Sequence, residues 1–150
     1  MKYLIPAILS IVVLCPLTNF AEAASSPILV KRLTEMTGSG KTRTTECAVS
    51  VDGVVITKEF DGITSVEEKA YKITGNIDAK MDDVAATKAD VKKIAPTEFS
   101  YSSIAYRTSA TGSRDALILG FYDGAKGEET QNFSTGAGVL RTVLNEACNK

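Results

Sequence analysis

The chain has 150 residues, is 44% hydrophobic and is nearly neutral, with 17 basic against 18 acidic residues. That balance argues against a nucleic-acid partner, which calls for a basic excess. The absence of histidine removes Ser-His-Asp and Cys-His catalysis and the commonest zinc ligand; tryptophan is absent too.

The first residues, MKYLIPAILSIVVLCPLTNFAEAASS, have the layout of a secretory signal peptide. Lys2 is a short positive start, Leu4 to Leu14 an apolar run, and Ala21-Glu22-Ala23 a small-residue cleavage site. Pro6, Pro16 and Asn19 interrupt the run before it reaches the roughly 20 apolar residues of a membrane anchor. Cleavage is expected after Ala23, giving a signal peptide over 1–23 and one domain over 24–150, with no integral anchor left. Lipidation at Cys15 is disfavoured because Leu14 is too bulky beside a lipoprotein cysteine. The expected location is therefore secreted or periplasmic.

Pro27 to Thr34 reads as a first strand. Gly38-Ser39-Gly40 then turns the chain, inside the hexapeptide TGSGKT. That hexapeptide suggests a nucleotide loop, but Glu35 stands where the first P-loop glycine belongs. Strand-like alternation follows it, where a helix N-terminus would have to cradle phosphate. No nucleotide is expected. In TECAVSVDGVVITKEF, Asp52-Gly53 reads as a two-residue hairpin turn. Pairing outward from it sets Val51 against Val54, Val49 against Ile56 and Cys47 against Lys58. Cys47, Val49, Val51, Val54, Ile56 and Phe60 then form a core face.

After Asp61-Gly62, Ser65-Val66-Glu67-Glu68 resembles a capping box opening a short helix through Ile73. Gly75-Asn76 breaks it, and a second helix is expected from about Ile77 to Lys93, ended by Pro96. Strands resume at Glu98, with a β-bulge expected at Ser102-Ser103 where the apolar phase slips. Thr111-Gly112 turns the chain into Ala116 to Tyr122, apolar on both faces and so read as the central strand. Glu128 to Phe133 reads as a polar edge strand. Ser134 then caps a helix with Val139, Leu140, Val143, Leu144 and Ala147 on one stripe.

Beyond the leader the only cysteines are Cys47 and Cys148. In an oxidising compartment they are expected to form a disulfide, closing a loop worth about 4.7 kcal/mol in the chain-entropy model. The expected fold is α+β: an antiparallel sheet of five to six strands packed on a C-terminal helix, with a helical insertion between strands three and four and one disulfide.

Adjacent Asp82-Asp83 are read as solvent-facing, because paired carboxylates do acid–base work only across a cleft. Ser102, Ser103, Ser109 and Ser113 lie near Arg107, Arg114 and Asp115 without a Ser-x-x-Lys motif, so this stretch reads as a turn. Asn132-Phe133-Ser134 is a glycosylation sequon. With no catalytic set, no cofactor and no metal ligands, the expectation is an exported binding protein, not an enzyme. Its partner would be a protein or envelope component, for instance an exported hydrolase that it inhibits. The candidate contacts are the basic hairpin residues Lys41, Arg43, Arg107 and Arg114. The alternatives are an envelope assembly subunit and a histidine-free hydrolase.

Overall fold

A computed structural model describes residues 27–60, 64–109 and 111–148. The expected leader and cleavage site, Cys15 and Asp61-Gly62 lie outside the described residues. Strands β1 (Pro27–Met36) and β2 (Thr42–Ser50) form an antiparallel hairpin joined across Thr37 to Lys41. The TGSGKT stretch is that connection: the Thr37 amide donates to the Lys41 carbonyl at 2.7 Å, and a strand follows it.

Strand β3 (Val54–Phe60) pairs with β2 in a register one residue away from the expected one. Val49 faces Val55, Cys47 faces Thr57 and Ala48 faces Ile56. A two-residue type I′ turn needs positive φ at both central residues. Only Gly53 has it, at 83°, and the loop spans three residues, Val51 to Gly53. The Gly53 amide donates to Ser50, whose hydroxyl also bonds the amide and carbonyl of Val54 at 3.0 Å. The single-residue shift turns β3 over. Cys47, Val49 and Val55 are buried, whereas Val51 is 68% and Phe60 43% exposed.

The expected capping-box helix is a strand. β4 (Thr64–Ala70) pairs antiparallel with β3 along its whole length. A helical spacing of three apolar residues is a weak local preference, and pairing with β3 overrides it. The second helix is shorter than expected, ending at Ala86 and not near Lys93. α1 (Ile77–Ala86) starts at Asn76, whose side chain caps the Ala79 amide at 3.0 Å, and stops at Thr87, which is extended. The next residues form a strand, β5 (Asp90–Lys93).

β6 (Phe99–Thr108), β7 (Arg114–Asp123) and β8 (Glu128–Gln131) complete one sheet of eight strands in the order β4-β3-β2-β1-β6-β7-β8-β5. Three expectations are corrected here. β7 is not central: both helices cover the same face of the sheet, so Ile118 and Phe121 on its other face are 43% and 40% exposed. β8 is not an edge, because β5 pairs outside it. The bulge lies opposite Ser103 and Ile104, but the extra residue is Leu119 of β7. Helix α2 (Thr135–Cys148) supplies the Arg141 guanidinium that holds the Leu119 carbonyl at 2.6 Å.

α2 begins where Ser134 Oγ accepts from the Ala137 amide at 3.1 Å. Leu140, Val143, Leu144 and Ala147 are buried against Leu29, Val49, Val55 and Leu119 of the sheet, while Val139 faces outward. Burial of each leucine contributes about 1.5–3 kcal/mol. α1 adds Met81 and Val84 to the same core. The helices touch closely at Gly136, where any Cβ would strike the Lys80 carbonyl. A disulfide joins Cys47 to Cys148 and staples the end of α2 to β2.

Candidate functional site

A cleft of about 970 Å³ lies at the end of the sheet that carries the β6–β7 hairpin. Three segments build most of it, and β1 adds Ile28. The β2–β3 loop brings Val51 to the rim. The approach to α1 and its first turns bring Ile73, Ile77, Asp78, Met81 and Asp82. The β6–β7 hairpin brings Tyr106, Arg107 and Arg114. Ile73, Ile77 and Met81 belong to the core or pack on it, so the floor is apolar and rigid.

The wall is held by charge. Arg107 donates to Asp82 at 2.9 Å and lies 3.8 Å from Asp115. Such partly exposed pairs contribute only about 0.2–1 kcal/mol each, so their main effect is to fix the guanidinium. Arg114 stacks on the Tyr106 ring, 4.3 Å from its centroid. A cation over an aromatic face is oriented as well as attracted. The β6–β7 turn is itself tied by Ser109, whose amide donates to the Ser113 carbonyl at 2.7 Å.

The four candidate contacts do not come together. Arg107 and Arg114 line the cleft, while Lys41 and Arg43 sit at the opposite end of the sheet. The offset is nine residues along the strands, or roughly 30 Å at about 3.3 Å per residue. Lys41 is exposed there, and Arg43 is paired with Glu59 at 3.0 Å.

Several functional-looking residues turn out to be structural. Asp82 faces solvent as expected, 71% exposed while it holds Arg107, whereas the half-buried Asp83 accepts the Gly136 amide at 2.6 Å. Asn132 is 2% exposed. Its Nδ2 donates to the carbonyls of Val84 and Thr87 at 3.1 and 2.9 Å, and its Oδ1 accepts from the Ser134 amide at 3.0 Å. One amide thus ties the end of α1 to the start of α2, and the folded protein offers no nitrogen there for a glycan. Tyr122, 1% exposed, donates to the Ala95 carbonyl at 2.8 Å.

The shifted tyrosines lie outside the cleft. Burial, with a hydrogen bond from its hydroxyl to Glu129, pushes the Tyr101 phenol up to about 12. A hydrogen bond to Glu146 raises Tyr71. Among the described residues no cluster of three or more His, Cys, Asp or Glu is placed to hold a metal ion, and no helix is long and apolar enough to cross a membrane.

What the cleft can do chemically is hold an apolar side chain between two oriented guanidinium groups and two carboxylates, Asp78 and Asp82. The apolar floor was not legible in the sequence, because Ile73, Ile77 and Met81 share the cleft with Val51 only across long chain separations. No family model matches the chain, and comparisons with curated proteins and with solved structures gave no match.

Proposed function

We propose that the protein is an exported, disulfide-stapled binding protein, and that the cleft beside the β6–β7 hairpin is its contact surface for a protein or envelope component. The observation that carries this reading is a rigid apolar floor walled by two fixed arginines. An apolar anchor framed by oriented polar groups is the usual anatomy of a recognition site. The disulfide fits an oxidising compartment, as the leader-like start also suggests. Inhibition of an exported hydrolase is the form of this reading with the sharpest test.

The oxidised protein is used to capture partners from its own exported fraction, read by mass spectrometry. Arg114→Ala and Val51→Asp should each weaken capture of the enriched protein by about tenfold or more, as expected for contacts near an interface centre. Lys41→Ala should leave capture unchanged. If Lys41→Ala abolishes capture and the cleft variants do not, the contact surface is the other end of the sheet. If nothing is enriched at high bait concentration, the binding reading fails.

A further inference from the structure

The face of the sheet opposite the helices carries a pattern that neither the cleft nor the core uses. Ile56, Ala48, Val30, Ile104 and Ile118 stand side by side in one register row across β3, β2, β1, β6 and β7. Phe121 follows in the next row, and Val91 lies beyond it on β5. Ile118, Phe121 and Val91 are 43%, 40% and 66% exposed. A shallow depression of about 290 Å³ opens on this face, lined by Val30, Arg32, Glu46, Ser102 and Ile104 and, at its border with the cleft, by Tyr106 and Arg114. A continuous apolar row of this kind marks an interaction surface more often than scattered exposed residues do.

We propose that this face closes on the same face of a second copy, making a two-sheet sandwich with the helices outside. Register and charge select that occupant. A two-fold axis parallel to the strands and running between β1 and β2 stacks Val30 of one copy on Ala48 of the other. It also stacks Ile104 on Ile56. In the neighbouring row the same axis sets Arg32 over Glu46 and Glu46 over Arg32. These two already pair within each chain, so the four charges alternate in sign around the axis. The four central apolar residues meet one another and the central charges meet their opposites, as an isologous contact requires, while at the rim Ile118 lies over Glu68 of β4. A strongly charged partner has no matching field on this face.

The size is sufficient. Six overlapping strands at about 4.8 Å and rows of about six residues at 3.3 Å give roughly 600 Å² of projected face per copy. Corrugation by side chains brings the accessible area near the about 800 Å² per partner of a standard interface. Aligned sheets pack in this way about 10 Å apart, with strands crossing at about −30°. The sheet edges are less suited to assembly. β4 carries Glu67, Glu68 and Lys69, and β5 has only Asp90 to Lys93, both of them edge designs that discourage strand addition. The inference does not depend on the cleft.

The test is sedimentation equilibrium of the protein expressed with its leader and purified with the disulfide intact, from about 1 to about 100 µM, the range that brackets micromolar dissociation. The expected result is a dimer dissociating in the micromolar range. Ile104→Lys should weaken it at least about thirtyfold, the scale of a central interface residue, and Ile118→Glu, which sets a carboxylate over Glu68 of the other copy, should weaken it about tenfold. Phe133→Lys, at an exposed position just before α2, should leave it unchanged. Ile118 is solvent-accessible in the single copy, so its variant decides the matter if Ile104→Lys does not fold. A monomer at about 100 µM overturns the proposal, and binding of that monomer to lipid vesicles would reassign the face. A dimer that both variants leave intact overturns it as well.

Discussion

Tyr101 shows how one side chain gives the fold a pH limit. Its phenol is pushed from an ordinary value of 10.0 to about 12 by burial and by its bond to Glu129. The folded chain therefore keeps a proton that the unfolded chain releases between those values. The stability this contributes is complete below pH 10 and is lost as pH rises toward 12. Urea unfolding across that window should show stability falling with pH, and Tyr101→Phe should flatten the fall. Tyr71, raised by Glu146, acts in the same direction, so the phenylalanine variant should retain part of the slope. At the same scale Asn132 marks a limit of sequence reading. Its sequon was visible in the sequence, but its three hydrogen bonds to two helices were not. Such bonds depend on α1 and α2 being brought together across some forty-five residues of chain.

At the scale of elements the β2–β3 hairpin is decisive. Asp-Gly announced a turn, and a turn is there. Its length was not legible, because Asp-Gly serves both two-residue and three-residue loops. One residue of difference decided which of Val54 and Val55 entered the core. Gly53 holds that choice: φ is 83°, and a Cβ would strike the Tyr71 carbonyl. Gly53→Ala should therefore cost about 1–3 kcal/mol from a strained backbone alone. A shift of the urea midpoint with an unchanged slope would confirm it, and an unchanged midpoint would show that the loop relaxes freely. The same logic explains β4. Ser65 to Glu68 looks like a helix start in isolation, and the free edge of β3 makes it a strand.

At the scale of the molecule the disulfide and the one-sided sheet matter most. Cys47 and Cys148 are 101 residues apart in sequence, so their bridge restrains nearly the whole described fold in its unfolded state. Reduction should cost about 2–5 kcal/mol, measured as loss of urea resistance with and without reductant. A protein equally stable in both states would mean that core packing of α2 on β2 suffices. The helices of this sheet stand on one face only, which leaves the apolar row from Ile56 to Ile118 to whatever meets the protein.

The sequence by itself determined the α+β class, the antiparallel hairpins, the C-terminal helix with its Ser134 cap and apolar stripe, and the pairing of two lone cysteines. These follow from short-range patterns: turn residues, capping side chains, periodicity and parity. Tertiary structure alone decided the hairpin register, the conversion of Thr64 to Ala70 and Asp90 to Lys93 into strands, and the order of the eight strands. It also placed Arg107 and Arg114 at one cleft and Lys41 and Arg43 far from it. Each of these rests on a partner strand or helix distant in the chain, and local propensities are too weak to specify such partners.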